Sequence, residues 1–156
     1  MIASKLATLM KTHEDAIARA WLRKAGELIG ENRAHALAGD GPRNCVQGVK
    51  LAAEHLHGEL KRDDLQRWAA DLGRHAHAGK LRADQLLGWF IAGRAATREF
   101  ILNEDVFSSA AAAMDAAAVL HRNAAFFDQA ALDALAVQDA EGKGHAHHTD
   151  APHLFK

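Results

Sequence analysis

Apolar residues recur at intervals of three and four along most of the chain, the period of an α-helix with one face turned inward. A first helical region runs from about Ile2 to Ile29. Thr12 followed by Asp15 reads as a capping box with Asp in the place of Glu, and predicts a short helix followed by a longer one from about His13. In the longer helix Ile17, Trp21, Leu22, Ala25, Leu28 and Ile29 keep helical spacing, and Gly30 stands where it should stop. Residues 31–41 have weak periodicity and two glycines, and read as a loop, with or without a helical turn in it. Pro42 then suits the first turn of a helix over about Arg43–Leu60, whose stripe is Val46, Val49, Ala53, Leu56 and Leu60. The pattern resumes over about Asp64–Ala78, with Leu65, Trp68, Ala69 and Leu72 inward and Gly79 at the end.

Two further helices carry apolar residues on more than one side. In the helix over about Ala83–Asn103, Leu87, Phe90, Ile91 and Ile101 fall on one face and Trp89, Gly93, Ala96 and Phe100 on another. Gln85, Glu99 and Asn103 form a narrow polar strip between them. Such a helix is expected at the centre of the fold. The last helix, capped by Ser108 or Ser109, runs to about Asp139. Met114, Ala117, Ala118, His121, Ala125, Leu132 and Leu135 read as its inward stripe, with Leu120, Phe127 and Ala131 beside them. From Gly142 the apolar period ends, so residues 1–141 read as one helical domain and 142–156 as a flexible, His-rich tail.

Composition supports this pattern. Of 156 residues, 35 are Ala, only 2 are Pro and none is Tyr, which favours helix over strand. The net charge of −1 gives no electrostatic case for nucleic acid. No stretch approaches the roughly 18 apolar residues of a membrane span, and the N-terminus lacks a signal-peptide pattern. A cytoplasmic protein is the expectation. Cys45 is the single cysteine, which excludes an intrachain disulfide and a multi-cysteine zinc site. Beside the inward stripe of its helix, it reads as a buried, inert thiol.

Eleven histidines raise the question of a metal. Glu54 and His57 give one Glu-x-x-His spacing where a di-iron bundle needs two. His55/His57 and His75/His77 are His-x-His pairs, and on a helix residues two apart point about 200° from each other, so neither pair chelates one ion. His121, in the supposed inward stripe with Asp128 near the same line, is a candidate haem or metal ligand, or a core histidine bonded to a carboxylate. In the tail, His145, His147 and His148 form a compositional metal-binding signal. Arg94 lies among Leu87, Phe90, Ile91 and Ile101, and a guanidinium there needs a carboxylate or a bound anion. Arg98 borders the same face, so Arg94, Arg98, His121 and Asp128 are the candidate pocket residues. Gly48, Leu51, His55 and Gly58 form a second face on their helix, covered either by another helix or by a second subunit. No phosphate-binding loop or nucleophile signature is found, and a non-enzyme is the expectation.

The segment 65–102, LQRWAADLGRHAHAGKLRADQLLGWFIAGRAATREFIL, resembles the helical N-terminal domain of the RsbT co-antagonist proteins of RsbRD type. The resemblance rests on an apolar-basic helix, a turn at Gly79 and a following helix with a central Arg94. His13-Glu14-Asp15 leading to Ile17 and Trp21 fits the same pattern, which extends over roughly residues 5–135. It implies an all-helical, globin-like sensory domain, often dimeric and usually without haem. In that family the domain precedes a phosphorylatable STAS domain. This chain ends soon after its last helix, so a free-standing sensor or adaptor is the expectation. The resemblance transfers no ligand and no catalytic residue.

Together these readings predict a single all-α domain of five or six helices, globin-like or bundle-like. The expected role is a non-catalytic sensory or protein-interaction domain in bacterial signalling, with a protein partner and self-association as a homodimer. No cofactor is the first expectation. The alternative is a haem- or transition-metal-binding protein using His121 or the tail histidines.

Overall fold

The computed structural model describes residues 2–104 and 109–154, with side chains described through residue 144. These residues form seven α-helices and no strand: α1 (Ile2–Thr12), α2 (Glu14–Ile29), α3 (Glu31–Ala38), α4 (Arg43–His57), α5 (Arg62–Ala78), α6 (Ala83–Leu102) and α7 (Ala110–Leu154). The break between α1 and α2 falls at His13, as expected, but no capping box makes it. Thr12 Oγ1 instead donates back to Thr8 O at 3.0 Å, and no side chain caps α2. Gly30 ends α2 with φ +95°, a conformation open to glycine at little cost.

The segment read as a loop at 31–41 contains a further helix, α3, which brings the count to seven. Its inward residues Ala34, Leu37 and Ala38 supply too little apolar volume to announce themselves in the sequence. Eight residues do not sustain a helix alone, so α3 depends on packing against α2. Its end is fixed by Asn44, whose Nδ2 donates to Leu37 O at 2.7 Å. At the other end of the chain, the backbone of α7 continues through the segment read as a flexible tail to Leu154. The Lys143–Asp139 ion pair at 2.9 Å supports the turn that enters it.

Aromatic side chains from four helices fill the centre: Trp21 of α2, Trp68 of α5, Trp89 and Phe90 of α6, and Phe126 and Phe127 of α7. Trp21 lies 4.6 Å from Trp89 and 5.5 Å from Phe127 between ring centroids. Two glycines make room for its indole. A Cβ at Gly48 would lie 2.5 Å from Trp21 Cη2 and 2.7 Å from Trp68 Cζ2. One at Gly93 would lie 2.5 Å from Trp21 Cε2 and 2.8 Å from Phe127 Cε1. With no side chain at Gly93, one turn beyond Trp89, the indole reaches the α6 backbone and Trp21 Nε1 donates to Trp89 O at 2.8 Å. Thus α6 packs between α2 and α7, as the two-sided pattern predicts. Gln85 leaves the expected polar strip: it is buried, and its Oε1 accepts from Arg82 N–H at 2.9 Å at the helix start.

The inward face of α7 lies on the side of Leu120, Phe127 and Ala131, the stripe read as adjacent, rather than on the one that begins at Met114, of which Leu135 packs against the core. Val119, Asn123, Phe126, Phe127, Ala130 and Ala134 are buried, while Met114, Ala117, Ala118, His121, Ala125 and Leu132 are exposed. Over 110–118 nearly every residue is alanine, so apolarity carries no phase there. The bulky residues Val119, Phe126 and Phe127 set the face instead. Ser109 Oγ accepts from Ala112 N–H at 3.0 Å and caps the helix as expected. Ser108, the alternative cap, lies outside the described residues.

Candidate functional site

Arg94 and Asp128 come together across α6 and α7. Arg94 Nη1 donates to Asp128 Oδ1 at 3.1 Å, with both side chains well exposed. The apolar surroundings read from the sequence do not bury Arg94, because Leu87 and Ile91 on its side of α6 are themselves open to solvent. An exposed pair of this kind contributes about 0–1 kcal/mol. Beneath it the two helices are joined by a buried polar contact. Asn123 Nδ2 donates to Thr97 Oγ1 at 2.8 Å, and Thr97 Oγ1 in turn lies 3.0 Å from Gly93 O. Asn123 Oδ1 has no partner among the described residues.

Arg94, Arg98, Asn123 and Glu99 line a cleft of about 440 Å³ between α6 and α7, with Ile91, Ala95, Leu120 and Ala124 as its apolar walls. Glu99 is engaged by Lys24 of α2 at 2.6 Å. Arg98 forms no ion pair among the described residues. Of the candidate pocket residues, Arg94 and Arg98 line this cleft and Asp128 pairs with Arg94, while His121 does not join them. His121 is on the solvent face of α7, away from the core, which removes the buried position that made it a candidate ligand. Asn123 escaped the sequence reading. Its signal was a polar residue in register with Val119, Phe126 and Phe127.

The second face of α4 is covered within the chain. Leu51 is 2% exposed and Gly48 receives the Trp21 and Trp68 rings, whereas Gly58 ends the helix in the left-handed conformation with open space around it. His55 is half-buried with its ring centroid 5.9 Å from Phe126. Arg122 of α7 donates through Nη2 to His55 O at 3.1 Å and Leu56 O at 3.0 Å, satisfying carbonyls at the end of α4. Burial, and then the charge of Arg122, lower the pKa of His55 from its ordinary 6.5. The folded protein therefore favours neutral His55, and the unfolded chain takes up its proton first as pH falls. Stability is expected to decline as pH drops through and below 6.5. Urea titrations of wild type and His55→Gln at pH 7.5 and 5.5 check this (about one unit either side). The variant should lose less stability between the two pH values than the wild type.

Burial pushes the Cys45 thiol up, so it stays protonated as expected of an inert core residue. Among the described residues, no three His, Cys, Asp or Glu side chains converge on a point that could hold a metal ion. The side chains of His145, His147 and His148 lie outside the described residues. No described helix is long and apolar enough to cross a membrane.

The outer stripe of α7 exposes two large apolar side chains that no described residue covers. Met114 is 78% exposed and Leu132 62% exposed, with Ala117, Ala118, His121 and Ala125 exposed between them. No family model, curated protein or solved structure matches the chain.

Proposed function

We propose that this chain is a non-catalytic protein-interaction and sensory domain that pairs with a second copy of itself through the outer face of α7. The observation that carries the reading is the apolar stripe from Met114 to Leu132, left uncovered on a long helix. Its alanines at 117, 118 and 125 would let a second helix approach closely. His121 stands near its middle, and the exposed carboxylate of Asp128, paired with Arg94, is the charge that falls within it between Ala125 and Leu132. A face of this kind is self-complementary about a two-fold axis, the commonest symmetry of soluble dimers. Resemblance of residues 5–135 to the often dimeric RsbRD-type sensory domain supports the same role in signalling, with a globin-like arrangement of the helices. The exposure of His121 removes the buried position on which its reading as a haem or metal ligand rested.

The test is Met114→Lys combined with Leu132→Lys. Both side chains are exposed in the single chain, so the variant should keep wild-type helicity and melting behaviour. A lysine buried at each point of an interface should weaken self-association by about a hundredfold, on the order of 3 kcal/mol. Sedimentation velocity across a concentration series reads the effect. Unchanged association in the doubly substituted chain would overturn the assignment of this face.

A further inference from the structure

The cleft between α6 and α7 has the composition of a ligand site. Arg98 is a guanidinium with no carboxylate partner among the described residues. Arg94 gives Nη1 to Asp128 and keeps its remaining donors. The carboxylate on the rim, Glu99, is bound to Lys24 at 2.6 Å and repels an incoming anion less for it. Counting Lys24 and Asp128 with the three lining charges, the cleft carries an excess of one positive charge. Ile91, Ala95, Leu120 and Ala124 offer an apolar wall.

A second, independent observation is Asn123. It lines the cleft, is 1% exposed, and holds an amide oxygen with no donor. Its Nδ2 is committed to Thr97, whose hydroxyl is itself shared between Gly93 O and Arg94 O. Exchanging the amide oxygen and nitrogen would only leave the nitrogen unpaired instead. Buried polar atoms are rarely left so, and one beside a cleft marks a place for a partner.

We infer that the α6–α7 cleft binds a small organic carboxylate that carries a hydroxyl group and an apolar body. The carboxylate pairs with Arg98 and the free donors of Arg94, in the planar geometry a guanidinium offers. The apolar body lies on Ile91, Leu120 and Ala124, and the Asn123 amide, closed to solvent in this structure, turns outward on binding to accept from the hydroxyl. A volume of about 440 Å³ admits a molecule of the size of a hydroxybenzoate. This gives the sensory reading a ligand class and rests on that reading only for its biological sense. Ligand binding and self-association are measured separately and fail separately.

The experiment is isothermal titration of the full chain with 3-hydroxybenzoate, benzoate and the uncharged 3-hydroxybenzyl alcohol. Saturable binding in the order 3-hydroxybenzoate, benzoate, alcohol is expected. Arg98→Gln should weaken 3-hydroxybenzoate about tenfold or more, and Arg98→Lys should restore part of the loss. Arg23→Gln, on the groove between α2 and α3, should leave it unchanged. Asn123→Leu should erase the preference for 3-hydroxybenzoate over benzoate. Arg98 is exposed, so its variants stay folded if the buried Asn123 variant does not. Absence of saturable binding, equal affinity for the alcohol, or equal affinity in Arg98→Gln would each overturn the proposal.

Discussion

Trp21→Ala should cost about 3–5 kcal/mol, a large share of the roughly 5–15 kcal/mol that holds a domain of this size folded. Trp21 is fully buried at the meeting point of α2, α4, α6 and α7. Truncation removes the indole from the two glycine seats at Gly48 and Gly93 and leaves a void lined by Trp68, Trp89 and Phe127. The Trp89 carbonyl also loses its indole donor. Urea denaturation followed by far-ultraviolet circular dichroism measures the loss. Trp21→Phe should cost less, because a smaller ring still fills part of the seat. Adding Gly93→Ala to Trp21→Phe should cost less than adding it to the wild type, since the indole atoms nearest the new methyl group have gone and only the Phe127 ring still crowds it.

The second large effect is at Gly73, where α5 crosses α7. A Cβ there would run into the carbonyl oxygen of Ala134, and would lie 3.0 Å from Val137 Cβ. The obstruction is backbone, which cannot rotate away as a flexible side chain can. Alanine ordinarily gains up to about 1 kcal/mol over glycine inside a helix. At Gly73 overpacking of about 1–3 kcal/mol or more should outweigh that gain, so Gly73→Ala should be destabilising. At Gly142 nothing lies within 4 Å of the added methyl, and the same substitution should be neutral or stabilising. Opposite signs in one pair of thermal melts would establish that the α5–α7 crossing, not helix propensity, dictates glycine at position 73.

The fold was legible wherever bulky residues carried the helical period. Trp21 and Ile17 placed the inward face of α2, Gly30 marked its end, and Leu65, Trp68 and Leu72 placed that of α5. Legibility failed where volume was low. The small α3 offered only Leu37 among alanines, and α7 presented apolar residues all round its first turns. There, hydrophobic character did not distinguish the core face from the uncovered face. The stripe taken for core became the candidate contact surface.

The candidate cleft was half legible. A guanidinium on an otherwise apolar helix pointed to a carboxylate, and Asp128 supplies it. The phase error on α7 brought His121 into the reading and left Asn123 out. Only the packing of Phe126 and Phe127 reveals that Asn123 faces Thr97. Gly48 and Leu51 likewise announced close packing without announcing its partner, which proves to be α2 and α5 for Gly48 through Trp21 and Trp68.

The proposed pairing joins two copies through the outer stripe of α7. Multi-angle light scattering on the eluting wild-type protein at micromolar loading tests it most directly. The expected mass is twice the 16.8 kDa of one chain. A mass of one chain that persists as loading is raised would contradict it.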